Sequence, residues 1–204
     1  MLTTPVLVAA IDRVASRLAP IRDRLNEADS KLGDGDTGMT VARMVEAVRA
    51  ISAELPAAIG AALVQCGRAC SRATGSSLGG VIAMALTAAG RSAREHVSVD
   101  HTRLANMLSA AVAVIQERSG AAPGDKTVLD SLPAIRDACT SAGSSGSLRE
   151  LAVSAAGDAL DKFRSREAKL GRARMYGPKS IGFDDPGMLA VYLVLDATGD
   201  GGAA

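Results

Sequence analysis

Val6, Ala9, Ala10, Val14, Leu18, Ile21 and Leu25 recur at intervals of mostly three and four residues, and the same rhythm returns along most of the chain. That spacing gathers apolar side chains on one face of an α-helix. Arg13, Arg17, Asp23 and Arg24 fall on other faces of the same segment. The stripe is built from small residues: apolar types make up 48% of the chain, yet aromatics reach only 2% and Trp is absent. A core of Ala, Val, Leu, Ile and Met suits closely packed helices, whereas a β-sandwich favours aromatic and β-branched residues. The 204 residues are enough for one substantial core.

Local signals divide the rest into further helices. "VARMVEAVRAISAEL" follows an Asp/Gly loop from near Thr40, and Pro56 marks its end or the start of "AAIGAALVQCGRACSRA". "TGSSLGG" opens an apolar helix that runs to Ala89. "HTRLANMLSAAVAVIQERSG" closes on Gly120, a residue suited to a left-handed C-cap. "AAPGDKT" reads as a turn, with Thr127 placed to cap "VLDSLPAIRDACT". "SAGSSGS" leads into "LRELAVSAAGDALDKFRSREAKLG", and Pro186 after Asp185 suits the start of "MLAVYLVLDAT" as a helix. The expectation is an all-α chain of about eight helices, with residues 1–204 forming a single domain.

Charge and composition narrow the function. With 23 basic against 22 acidic residues the net charge is +1, which gives no broad attraction for nucleic acid or an anionic membrane. Only Phe163, Phe183, Tyr176 and Tyr192 could stack on bases. Three cysteines do not make a disulfide framework, and Cys66 and Cys70 lack the third ligand that zinc needs, so burial explains them better. The segment "MLTTPVLVAAIDRVASRL" lacks a basic leader, and the apolar run from Val81 to Ala89 is too short to span a bilayer. A cytoplasmic protein is the expectation. His96 and His101 sit in a polar connector away from the Gly-rich loops and read as surface residues.

The chemistry concentrates in "ADSKLGDGDTGMT", residues 28–40. Gly33, Gly35 and Gly38 fit a dinucleotide-binding spacing, but that fingerprint needs a buried strand before it, and here a helix precedes. A phosphate-binding P-loop is absent, and an EF-hand fails for want of its third ligand and closing Glu. Asp29, Asp34 and Asp36 remain: three carboxylates that glycines could let converge on a hard divalent cation. A solvated Asp/Gly turn between helices would use the same residues. "TGSSLGG" offers hydroxyls and free N–H groups at a helix N-terminus, a natural anion site as well as an ordinary helix entry. "PGDKT" could meet a ligand through its backbone or be only a turn. Arg172, Arg174 and Lys179 form a basic loop beside "DDPG" that could neutralise phosphate or simply face solvent.

Taken in order, "DSKLGDGDTG", "GSSLGG", "SGAAPGDKTVLDSL" and "GRARMYGPKSIGFDDPG" resemble the nucleotide-binding L subunit of dihydroxyacetone kinase and the equivalent domain of single-chain kinases. The resemblance runs over nearly the whole chain. It implies a barrel of eight antiparallel helices with ADP or ATP at one end, its phosphates bridged to the protein by two Mg²⁺ ions. Asp29, Asp34 and Asp36 would be the metal ligands. Thr37, Gly38, Met39 and Thr40 would line the nucleotide, Ser76 and Ser77 would approach it, and Gly120, Leu129, Arg172, Asp185, Pro186 and Gly187 would complete the pocket. Arg172 is the candidate for additional phosphate stabilisation.

The sequence departs from the family pattern at three places. Thr37 stands where His is usual after the last metal-binding Asp, Phe183 where His follows Ser-Ile-Gly, and Leu78 at the last small position of the serine loop. The three carboxylates are intact. The resemblance implies a phosphotransferase for dihydroxyacetone or another small ketose, whose sugar is held by a separate K subunit. Such a subunit would turn over little alone. Its donor would be ATP, or a phosphocarrier protein of the sugar phosphotransferase system that recharges bound ADP. A homodimer is left open. The competing reading is a non-catalytic nucleotide- or small-molecule-binding helical module that regulates a partner.

Overall fold

The computed structural model describes residues 1–143 and 145–200, and it breaks the first apolar stripe at Arg17 into α1 (Thr4–Ser16) and α2 (Leu18–Ser30). Pro20 supplies the cause: it has no N–H to donate to the Ser16 carbonyl, and its ring crowds that oxygen. Arg17 takes up the break at φ −111°, ψ 15°. The chain continues through α3 (Thr37–Ala50), a short turn at Ser52–Glu54, α4 (Ile59–Ala73), α5 (Ser77–Ser92) and α6 (His101–Ser119). Then follow α7 (Val128–Ser141), α8 (Leu148–Arg164), a 3₁₀ segment at Arg172–Ser180, and α9 (Pro186–Ala197). Two short strands, β1 (Leu2–Thr3) and β2 (Ser98–Val99), pair antiparallel with Leu2 opposite Val99.

Each helix from α2 to α9 packs on its sequence neighbours, and α9 returns onto α2. Eight antiparallel helices thus close a barrel, with α1 lying against α3 and α9. Because neighbours alternate in direction, α3, α5, α7 and α9 all begin at one end, where α2 and α6 finish. That end carries the candidate site.

Small residues set the closeness of the helices. A Cβ at Gly60 would run into the backbone carbonyls of Ala93 and Gly90, so α4 and the end of α5 touch backbone to backbone. Gly60→Ala gains about 1 kcal/mol of helix propensity, but overpacking against an unyielding backbone costs about 1–3 kcal/mol. We expect a lower urea midpoint with an unchanged slope; an unchanged or raised midpoint would show that the two helices can part without loss.

Leu25, Met188 and Leu189 are fully or almost fully buried in the main core. With so few large side chains, the barrel axis is not filled. An apolar cavity of about 420 Å³ remains, lined by residues such as Met44, Cys66, Leu86, Leu108 and Val194. The three cysteines are free and buried, and burial pushes the Cys66 thiol up to about 12 and Cys70 up to about 11. Thiols held in their neutral form are poor nucleophiles and poor metal ligands.

The histidines depart from expectation. His101 is only 9% exposed, and its Nε2, like His96 Nδ1, is buried without a hydrogen-bond partner among the described residues. The connector folds down because Ile59 N–H donates to the His96 carbonyl (2.8 Å) and β2 pairs with β1. Among the described residues, no helix is long and apolar enough to cross a membrane.

Candidate functional site

Asp29 lies in the last turn of α2 and is 6% exposed. Its Oδ2 accepts hydrogen bonds from Asp36 N (2.9 Å) and Thr37 N (3.1 Å), which folds the intervening loop back over the helix end. Gly35 makes the turn at φ 76°, a conformation that side chains oppose. Gly33 lies against Asp29 Oδ1 with no room for a Cβ. α3 starts at Thr37, three residues before the sequence suggests, because Gly38 seats directly on α2. Its N–H donates to Asn26 Oδ1 (2.8 Å), and a Cβ there would strike the Arg22 carbonyl.

The result is convergence: one carboxylate oxygen from each of Asp29, Asp34 and Asp36 lies within 4.8 Å of the others. Two unit charges about 4 Å apart repel by about 4 kcal/mol at an effective dielectric of 20, so such a group draws a cation. Arg172 pairs with Asp34. An all-oxygen donor set of half-exposed and buried carboxylates fits Mg²⁺ or Ca²⁺ and not a soft metal.

These carboxylates form one wall of a pocket of about 650 Å³. The N-termini of α3, α5, α7 and α9 all open onto it through Thr37, Ser77, Val128 and Pro186. Each terminus brings the positive end of a helix dipole to the pocket, an arrangement suited to phosphate. Ser76 caps α5 by accepting from Gly79 N (3.0 Å), and Asp185 caps α9 by accepting from Met188 N (2.8 Å). Leu78, Val81, Ile115 and Leu170 supply an apolar side.

Of the residues selected from sequence, Asp29, Asp34, Asp36, Thr37, Thr40, Ser76, Ser77, Arg172, Asp185, Pro186 and Gly187 line this pocket. Four lie outside its lining. Gly38 is buried against α2, and Met39 points outward at 41% exposure. Gly120 ends α6 in the left-handed conformation (φ 68°), and Leu129 is fully buried in the core. Arg174 lines the pocket, whereas Lys179 is exposed elsewhere. Ser119 at the end of α6, and Leu170, Gly171 and Met175 in the segment after α8, also line the pocket with no motif to mark them, and Asn26 is one polar residue among many on a helix.

Burial pushes the Asp185 carboxyl from the ordinary 3.8 up to about 6, against the Met188 and Gly187 N–H groups and the Lys126 ammonium. The folded state therefore holds this proton more tightly than the unfolded chain. Asp185's contribution to stability is fully present below the unfolded value of 3.8 and is lost as pH rises through about 6. Asp185→Asn keeps an oxygen for the Met188 N–H. We expect it to flatten the thermal midpoint across that pH window; a slope identical to wild type would contradict the assignment.

A closed helical barrel that gathers three carboxylates, a guanidinium and four helix N-termini at one end defines an all-α domain of the dihydroxyacetone kinase type. Residues 31–200 match the DAK2 domain, and the chain belongs to the DAK2 domain family. It is 29% identical to an L-erythrulose 1-kinase of Mycolicibacterium smegmatis, over 95% of this chain and 35% of that protein. It is 31% identical to an L-erythrulose kinase of Pectobacterium atrosepticum, over 93% of this chain and 34% of that protein. The chain thus spans about a third of the length of the curated relatives it matches. Its fold matches the crystal structure of the dihydroxyacetone kinase from C. freundii in complex with AMP-PNP and Mg²⁺, with a TM-score of 0.73 and 24% identity over 94% of this chain and 33% of that one.

Proposed function

We propose that this chain is the nucleotide- and Mg²⁺-binding part of a small-ketose kinase, working on a sugar held by a separate K subunit. The observation that carries the reading is the meeting of Asp29, Asp34 and Asp36 with Arg172 and four helix N-termini in one pocket. The three carboxylates would hold Mg²⁺, two ions in the reading we favour, and the helix N-termini would face the phosphates of ADP or ATP. When bound, Mg²⁺ supplies positive charge that orients phosphate oxygens and offsets their charge in transfer. Arg172 would add a guanidinium to the same oxygens, and the apolar side around Val81 and Leu170 would take the base.

Residues 1–204 would act as a single domain. Catalysis of this kind rests on positioning and electrostatics, so a pocket lined by no thiol or imidazole among the described residues is compatible with it. The kinase names of the relatives support the reaction class. The donor would be ATP or a phosphocarrier protein of the sugar phosphotransferase system, and the setting the cytoplasm. The second reading, a non-catalytic regulatory module, draws on the 420 Å³ apolar cavity and on Thr37 and Phe183 in place of His.

A transfer assay separates the two. We expect phosphorylation of dihydroxyacetone or erythrulose from ATP or a phosphorylated carrier when a sugar-binding K subunit is added, and little without it. Mg²⁺-dependent nucleotide binding with no transfer from either donor would favour the module.

A further inference from the structure

The turn between α6 and α7 contains a lysine in an unusual place. Lys126 is 1% exposed, the largest fully buried side chain described, and the one non-glycine residue with positive φ (62°) among the described residues. Its Nζ donates to three backbone carbonyls: Arg166 (2.9 Å), Ser180 (2.9 Å) and Arg164 (3.4 Å). An ammonium has three protons and no acceptor, so one group can serve three oxygens at once, beside the Gly182 N–H at the Arg164 carbonyl (2.8 Å) and the Phe183 N–H at the Ser180 carbonyl (3.4 Å). A buried cation is tolerated only when hydrogen-bonded in this way.

Those carbonyls come from both ends of the segment between α8 and α9, and Arg172 lies between them. Shorter ties surround the ammonium. Lys169 N donates to the Asp125 carbonyl (3.1 Å), Gly182 N to the Arg164 carbonyl (2.8 Å), and Ala168 N to Ser180 Oγ (2.9 Å). Ala168 and Ala173 pack on Leu32, which fixes the segment against the aspartate loop. The Arg172 side chain itself is 62% exposed. Its position beside Asp34 is thus set by its backbone.

We propose that Lys126 is a positioning residue, whose ammonium pins both ends of the segment 164–182 so that Arg172 is held over the carboxylate cluster. The claim rests on the functional reading above in giving Arg172 a part in nucleotide binding. It also accounts for the "PGDKT" turn, of whose residues Thr127 alone is among those lining the pocket. Asp130 shapes that turn by accepting from Gly124 N (2.6 Å) and Thr127 N (3.0 Å), and the shaped turn aims Lys126 across the gap. Burial lowers the pKa of the ammonium; the Asp185 and Asp184 carboxylates oppose that, and the Arg164 guanidinium adds to it.

The test is a double-mutant cycle on Mg–ADP affinity, read together with amide hydrogen exchange. Lys126→Met should speed exchange within residues 164–182, leave the helices of the barrel protected, and weaken Mg–ADP about tenfold. In an Arg172→Ala background the same change should add less than about twofold, because the two residues act through one placement. Lys126→Gln, which keeps two donors on a shorter and uncharged stem, should move both readouts the same way and replaces Lys126→Met if that variant does not fold. Full additivity with Arg172→Ala, or exchange unchanged within the segment, would overturn the proposal and leave the functional reading standing. An Arg172→Ala protein that binds Mg–ADP as wild type does would instead defeat the functional reading of Arg172, and the positioning claim with it.

Discussion

Asp34→Asn is expected to weaken Mg–ADP binding about 100-fold or more, since one charge interaction near 4 Å is worth about 4 kcal/mol at intermediate dielectric and each 1.4 kcal/mol is tenfold. The thermal midpoint should stay within about 2 °C of wild type, because a substitution at an exposed position rarely moves stability by more than about 0.5 kcal/mol. Asp34 is suited to this separation: its side chain is 46% exposed, and its paired group is Arg172 from another segment. Asp29 is the counter-case. It is buried and accepts two N–H groups that fold the loop, so Asp29→Ala should lower both affinity and stability. Calorimetric titration of both variants, beside their melting curves, checks the contrast. Equal effects on binding and melting at Asp34 would mean that its carboxylate is structural.

The second large effect is expected at Gly38. A Cβ there would strike the Arg22 carbonyl and come within 2.6 Å of Asn26 Oδ1, so α3 must lift off α2 to accept it. Lifting the start of α3 carries Asp36 and Thr37 away from Asp29 and opens the cluster. Overpacking of this kind costs about 1–3 kcal/mol. Gly38→Ala should therefore lower the denaturation midpoint and reduce Mg–ADP affinity, although the residue lies outside the pocket lining. Wild-type binding in a destabilised Gly38→Ala protein would show that the loop holds its shape without that seat.

Helix ends were the most legible part of the fold, because their signals are local. Thr127, Gly120 and the Asp185-Pro186 pair mark real caps, since the residue at each cap serves the orphan backbone groups beside it. The carboxylate cluster was legible for a related reason: its three carboxylates lie within eight residues, from Asp29 to Asp36, with Gly33 and Gly35 between them. Pro20 gave a local signal too, but the unbroken apolar stripe concealed it, since the stripe survives a kink that leaves both halves facing the core.

What depends on distant contacts could not be read. The closure of α9 onto α2 leaves no mark in either helix alone. The burial of His101 follows from a strand pair that joins residues 2–3 to 98–99. Lys126 looks like an ordinary polar turn residue, and only the carbonyls of a segment some 40 residues away reveal its role. Leu129, in the motif that follows the same turn, is buried in the core and outside the pocket lining, a placement its neighbours in sequence do not reveal.

The central claim is a nucleotide site that works through a metal held by Asp29, Asp34 and Asp36. Calorimetric titration of the wild-type chain with ADP, in Mg²⁺ and again in EDTA, tests it most directly. The account predicts binding in Mg²⁺ and a loss of about 100-fold or more when the ion is removed. ADP affinity that is the same in both buffers would contradict it.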